Sequence, residues 1–254
     1  MGVHAEQREL VMAKGLEIVA VPAFADNYLW LVHDHESGET AVVDPGDAGP
    51  ALAEAQRRRW TITQVWNTHH HWDHSGGNVA MKEATGYTVS GPAAETIPGR
   101  DVALSEGSQL RIGDHVGRVI EIPGHTLGHI ALIFDDPRIA FVGDTLFAMG
   151  CGRLFEGTAE QMHHSLQRII SLPADTALYC GHEYTLANAR FAIHAEPGNA
   201  AIAARLNEVE ALREAGAITL PTTAAQERET NVFVRATKVE EFARLRAEKD
   251  SFRS

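Results

Sequence analysis

The stretch Thr68-His69-His70-His71-Trp72-Asp73-His74-Ser75-Gly76-Gly77-Asn78 places five potential metal-binding side chains in six consecutive residues. In an extended segment side chains alternate, so His69 and His71 project to one side and His70 to the other. His70 is therefore set apart from the ligand candidates. Asp73 and His74 come as the chain turns toward a helix, whose start is signalled by Ser75, the Gly76-Gly77 pair and the periodic run Val79, Ala80, Met81, Ala84. Upstream, Ile62 to Trp66 reads as a buried strand that delivers the histidines. A loop between a strand and a helix N-terminus is a natural place for a site. Three histidines and an aspartate at set spacing are hard to reach by chance, and a merely solvated polar loop is the weaker reading.

The chain has 254 residues, long enough for one large domain, or a domain and a smaller appendage, with a buried core. Its 44% hydrophobic and 22% charged content is that of an ordinary globular protein. A formal charge of -12 argues against a nucleic-acid partner, which calls for a basic face to neutralise phosphates. The two cysteines, Cys151 and Cys180, make no disulfide framework and suit a reducing compartment. No apolar run approaches the length of a membrane span, and residues 1 to 14 are too polar for a signal peptide. A cytoplasmic protein without nucleic-acid or membrane partners is expected.

In chain order, a polar lead to Gly15 precedes a strand at Leu16 to Val21, a second at Tyr28 to His33 and a third at Thr40 to Val43, an antiparallel beginning. Asp47 can cap a helix over Ala48 to Arg59. Asp44, at a strand end before Pro45-Gly46, reads as an acceptor for backbone donors in preference to a ligand. Tyr87 to Ser90 is a further strand, and Gly91 to Gly113 a connection. Val116 to Ile122 alternates as a strand and runs into Pro123-Gly124-His125, a bend that can hold an imidazole at a strand end. His125 becomes a ligand candidate, while His129, opening the strand Ile130 to Phe134, reads as packed or supporting. Ile139 to Val142 ends in Gly143-Asp144, and Ala177 to Cys180 ends in Gly181-His182. An ionised aspartate past an apolar strand is costly unless it is paired or bound to a cation. Four apolar strands thus end in His or Asp, and such ends can converge on one rim of a sheet.

His69, His71, Asp73, His74, His125, Asp144 and His182, in that order, resemble the ligand set of the binuclear hydrolases of the metallo-β-lactamase fold. The closer resemblance is to the glyoxalase II (hydroxyacylglutathione hydrolase) family. It is carried by Asn27-Tyr28, Thr68 to Gly77, Pro123 to Gly128, Gly143 to Gly157 (GDTLFAMGCGRLFEG), Cys180 to Thr185 (CGHEYT) and the tail Arg246, Lys249, Asp250, Phe252. The resemblance implies an α/β protein, an αββα sandwich over residues 16 to 183, followed by a helical substrate-binding domain over 184 to 254. Residues 1 to 15 form an extension outside it. The chain agrees, since beyond Tyr184 the stretches Leu186 to His194, Ala200 to Ala215 and Val239 to Glu248 read as helices. Val232 to Val234 alone would read as a strand; it departs from the family's Asn-Pro-Phe by having Asn231-Val232-Phe233.

Carried over residue by residue, the resemblance implies that His69, His71 and His125 hold one divalent ion, Asp73, His74 and His182 a second, and that Asp144 bridges them. Asp73 and Asp144 are the catalytic carboxylates. The donors are nitrogen and oxygen, which suits Zn first and leaves Fe or Mn open. The implied reaction is hydrolysis of S-(2-hydroxyacyl)glutathione, chiefly S-D-lactoylglutathione, to glutathione and D-lactate in methylglyoxal detoxification, by a monomer. Arg153, Tyr184, Arg246 and Lys249 are the implied glutathione contacts. Arg153 stands where some relatives carry Lys, and Phe155 where some carry Tyr. Arg246 and Lys249 would otherwise pass for a solvated helix face, since a spacing of three puts both on one side. Two alternatives share the scaffold: a persulfide dioxygenase with a single iron, and a non-catalytic metal-binding or redox module.

Overall fold

The computed structural model describes residues 10–253. One sheet runs β1 (Leu10–Ala13), β2 (Leu16–Ala23), β3 (Asn27–Asp34), β4 (Glu39–Val43), β5 (Thr61–Trp66), β6 (Thr88–Pro92) and β7 (Val102–Leu104) in spatial order, antiparallel as far as β4 and parallel beyond it. The second contains β8 (Gln109–Ile112), β9 (His115–Glu121), β10 (Ile130–Phe134), β11 (Ile139–Gly143), β14 (Ala177–Cys180) and β15 (Thr222–Thr223). Between β11 and β14 the chain makes a short hairpin, β12 (Leu146–Phe147) and β13 (Gly150–Cys151). The helices are α1 (Ala48–Arg58), α2 (Trp72–Ser75), α3 (Asn78–Thr85), α4 (Ala159–Ile170), α5 (Thr185–Ala195), α6 (Ala200–Glu214), α7 (Ala224–Thr230), α8 (Val232–Arg235) and α9 (Val239–Ser251).

The near-continuous apolar strands follow from a sheet covered on both faces. Leu16, Ile18 and Ala20 of β2, with Tyr28, Trp30 and Val32 of β3, pack toward the second sheet. Their alternates Val19, Val21, Leu29 and Leu31 join Ala51 and Ala55 of α1 and Met81 of α3. Trp66 meets Phe134 across the sheets at 5.6 Å, and Trp30 meets Tyr179 at 4.9 Å. The alternation of β5 is broken by a bulge: Thr40 pairs with Ile62 but Ala41 with Gln64, and Thr63 bonds back to Thr40. The bulge puts Ile62 and Val65 on the helix side and turns Trp66 inward, a rephasing the pattern did not show.

Several local expectations need correction. Among the described residues a strand, β1, already precedes Leu16 and pairs with β2, and residues 1–9 of the expected extension lie outside the described residues. The 91–113 connection contains β7 and β8. The helix after the histidines starts earlier, as the single turn α2; the Ser75 hydroxyl bonds back to the carbonyls of His70 and His71 and caps nothing. Val232 to Val234 is helical because the Asn231 side chain accepts from the N–H groups of Phe233 and Val234, a cap that outweighs β-propensity.

The rim expectation has a simple topological cause. Strands β9 and β11 both run antiparallel to β10, and β14 runs parallel to β11, so all three end on one edge. Parallel β4 and β5 end together on the facing sheet. The sheets are laced there by Tyr28 N–H to Gly181 O at 2.8 Å and Ile130 N–H to Thr68 O at 3.0 Å.

Candidate metal centre and substrate cavity

Four histidines on this edge, His69, His74, His125 and His182, each have one nitrogen tied down by a named partner. His74 Nδ1 lies 3.3 Å from Asp44 Oδ2, His182 Nδ1 2.9 Å from Asp26 Oδ1, and His125 Nδ1 2.9 Å from the Arg153 carbonyl. His69 Nδ1 lies 3.0 Å from the Thr68 hydroxyl, whose own proton goes to Asp44. A neutral imidazole has one N–H, so these contacts assign it to the outer nitrogen and leave a lone pair on the inner one.

Those lone pairs face one another. His69 Nε2 and His125 Nε2 are 3.2 and 3.0 Å from His71 Nδ1, and His74 Nε2 is 3.2 Å from His182 Nε2. The edge of a tetrahedron with metal–nitrogen bonds of 2.0–2.1 Å is about 3.3 Å, so these gaps are the size a cation fills. Two of the resulting groups are His69, His71, His125 and Asp73, His74, His182, the atoms of each within 4.8 Å of one another. Asp144 stands between them, with Oδ2 3.6 Å from His125 Nε2 and 3.2 Å from His182 Nε2, and Oδ1 3.4 Å from His74 Nε2. Its buried Oδ1 accepts no hydrogen bond among the described residues. A buried carboxylate oxygen amid imidazole lone pairs is a donor set suited to divalent cations.

Electrostatics separates the two groups. Burial holds His69 well below its ordinary value and lowers His71 and His125, which keeps them in the neutral, metal-binding form. Burial also opposes charge on His74 and His182, but Asp144 outweighs it, raising His182 to about 10 and His74 well above its usual value. Against burial, His74 and His182 hold Asp144 far below the carboxylate range. Entry of a cation into this second group therefore displaces protons.

Supporting residues follow the expectations in part. Asp44 accepts the Thr68 N–H and hydroxyl, both at 2.7 Å, besides orienting His74. Those bonds are what the expected structural role asks of it, and Asp44 also lies with His69 and His74 in a group of possible metal ligands. His129 is buried, stacks on His69 at 4.6 Å and accepts the Asp144 N–H at 3.1 Å. Gly181 is required by proximity: a Cβ there would come within 2.4 Å of His74 and 2.6 Å of Asp144 Oδ1. Sequence reasoning missed Asp26, which orients His182, and the contact of Asn27 Nδ2 with Asp73 Oδ2 at 2.9 Å. Asp26 lies in the turn between β2 and β3, where no periodicity marks it.

A cavity of about 500 Å³ opens over the centre. His71, Asp73, His125, Asp144 and His182 contribute to it together with Arg153, Tyr184, Arg246 and Lys249. Tyr184 stacks on His182 at 4.6 Å and 6°. Lys249 Nζ donates to the Ala187 carbonyl at 2.8 Å. Arg246 is not a solvated residue: it is 6% exposed, and its Nη atoms already bond to Cys151 O and Asp250 Oδ1 at 2.9 and 2.8 Å. Lys249 and Arg153 are the more available cations. A shallow depression of about 600 Å³ at the start of α6, lined by Glu196, Asn199 and Arg235, contains none of the ligand candidates.

Comparison with known proteins agrees with this arrangement. Residues 26–182 match the metallo-beta-lactamase superfamily, and residues 183–252 match the hydroxyacylglutathione hydrolase C-terminus. A hydroxyacylglutathione hydrolase of Methylococcus capsulatus is 50% identical over 254 residues, 94% of this chain and 99% of that protein. One of Cereibacter sphaeroides is 49% identical, covering 93% and 99%. Among solved structures, ETHE1 from Myxococcus xanthus superposes with a TM-score of 0.70 at 24% identity, over 97% of this chain and 92% of that one, and so shares the fold. The chain belongs to the hydroxyacylglutathione hydrolase family of the metallo-β-lactamase superfamily.

Proposed function

We propose that the protein hydrolyses S-(2-hydroxyacyl)glutathione thioesters, chiefly S-D-lactoylglutathione, to glutathione and the hydroxy acid. The observation that carries this reading is one cavity joining an imidazole and carboxylate centre to Arg153, Lys249 and Arg246. His69, His71 and His125 would hold one divalent ion and Asp73, His74 and His182 another, with Asp144 shared. When bound, the ions supply Lewis acidity that brings the pKa of a water to about 7 and draws charge from a carbonyl oxygen. Zn is the leading choice, with Fe or Mn compatible with the same donors.

The chain's own groups do the rest. Asp73 opens on the cavity, and although burial opposes it, His182, His74 and Asn27 hold its carboxyl below the usual range. It is thus an anion that accepts and orients a proton of the attacking water. Burial and the nearby carboxylates push the Tyr184 hydroxyl above its ordinary value, so it stays a donor. A thiol with a pKa near 8.5 leaves as thiolate without a strong acid. The division into residues 16–183 and 184–254 is supported by the two family matches meeting at 182 and 183, although β15 pairs back onto β14. Two free buried cysteines, and no helix long and apolar enough to cross a membrane among the described residues, favour a cytoplasmic protein.

Water supplies the oxygen in hydrolysis, so thioester cleavage under strict anaerobiosis should match the aerobic rate. Elemental analysis of the same sample should return up to two tightly held ions per chain. Oxygen uptake with glutathione persulfide and no thioester cleavage would instead identify an oxygenase.

Lys249 adds a pH signature. Burial, then repulsion from Arg246 and Arg153, lowers its ammonium to about 8. The charged form exists below that value and is lost as pH rises through it. KM should therefore climb above about pH 8 with kcat little changed, and Lys249→Arg, which stays cationic, should flatten the climb. Identical KM profiles for the two proteins would remove Lys249 from substrate binding.

A further inference from the structure

We propose that His70 and Glu156, beside His71, form an additional, solvent-accessible divalent-cation site on the rim of the centre, with zinc as its ion. His70, which alternation turns away from the inner groups, lies between two carboxylates. Its Nδ1 is 3.0 Å from Glu95 Oε2 and its Nε2 3.3 Å from Glu156 Oε1.

Glu95 is buried and acts only as an acceptor: its Oε1 takes the Gly128 N–H at 3.1 Å and the Thr126 hydroxyl. The imidazole proton accordingly belongs on Nδ1, facing Glu95. Nε2 then presents a lone pair to Glu156 Oε1, two acceptors facing each other across a gap of cation size. Glu156 uses its other oxygen, Oε2, to accept the Leu127 N–H at 2.9 Å, which aims Oε1 at the imidazole. His71 lies beside this pair, the candidate ligand atoms of the three residues within 4.8 Å of one another, but its one lone pair serves the inner group, so His70 and Glu156 hold the rim ion and water completes its shell. The arrangement repeats the one in the inner centre, where Asp26 orients His182 and Asp44 orients His74 from behind. An outer carboxylate that fixes the tautomer of a histidine is a regular accompaniment of metal ligation.

The site differs from the inner groups in access. The side chains of His70 and Glu156 are 34% and 35% exposed, whereas His74 is 1% exposed. Few protein ligands and open solvent make for a weaker, faster-exchanging ion. His71 also lines the substrate cavity, so an ion here stands at its mouth.

The test is equilibrium dialysis of the metal-loaded enzyme against a series of free zinc concentrations, with zinc per chain read by elemental analysis. Wild type is compared with His70→Ala and with Glu156→Gln, which keeps an acceptor for Leu127 N–H. Wild type should bind one equivalent more than either variant, and a mild chelator should remove that equivalent first. Because the readout is a difference, it stands whether the inner groups hold one ion or two. Both variants should keep thioester hydrolysis at the lowest zinc concentrations. Equal zinc uptake by all three proteins would overturn the site and leave Nε2 carrying a proton toward Glu156. Loss of hydrolysis together with the equivalent in both variants would equally overturn it, because the residues would then be serving the inner centre.

Discussion

Asp144→Ala is expected to lower kcat/KM by on the order of a thousandfold, about 4 kcal/mol of transition-state stabilisation, and to reduce the metal content of both inner groups together. The physical reason is position. Among the described residues, Asp144 is the one carboxylate whose oxygens reach His125 of the first group and His74 and His182 of the second. Its removal also leaves two imidazoles facing each other at 3.2 Å with less negative charge beside them, so the second group should lose its ion as readily as the first. His70→Ala should keep the inner ions and most activity, because His70 points to Glu95 and Glu156. Elemental analysis showing both inner ions retained at wild-type occupancy in the Asp144 variant would sink its shared role.

Replacing both Arg246 and Lys249 with Ala is expected to cost on the order of a hundredfold in kcat/KM, mostly as a rise in KM. In the proposed binding mode the two cations act on a substrate carboxylate remote from the scissile bond, and such contacts contribute mainly uniform binding. Charged hydrogen bonds are each worth about 1.5 to 3 kcal/mol, and partial exposure reduces their sum. The structure divides the effect unevenly. Lys249 faces the cavity, so Lys249→Ala should raise KM at little cost to folding. Arg246 is buried over Phe233 and holds the Cys151 carbonyl, so Arg246→Ala should lower Tm as well. Raised salt should weaken the wild-type enzyme more than the double variant, and a neutral thioester without that carboxylate should be cleaved almost equally by both. Wild-type KM for lactoylglutathione in the double variant would return the two residues to a merely structural role.

The chain-order reading located most strands because both faces of each sheet are covered, which turns a strand into an apolar run bounded by turn residues. It failed where one side chain decides a local shape. The bulge at Thr63 rests on a hydrogen bond to Thr40, 23 residues away, and the helical turn at Val232 on an amide cap from Asn231. Propensity sums along the chain do not contain such bonds. Strands β7 and β8 are short and half exposed, so their apolar signal is weak.

The sequence by itself determined the chemistry: the types and order of His69, His71, Asp73, His74, His125, Asp144 and His182, and the strand ends that carry them. A ligand must be a particular side chain at a strand terminus, and both properties are local. Tertiary structure alone decided which nitrogen of each imidazole faces inward, because that depends on acceptors as remote as Asp26 for His182 and Arg153 for His125. It also decided that Arg246 is committed to Cys151 and Asp250 while Lys249 stands at the cavity. Two cations three residues apart on one helix are alike in sequence. The hairpin that packs against one of them makes them different.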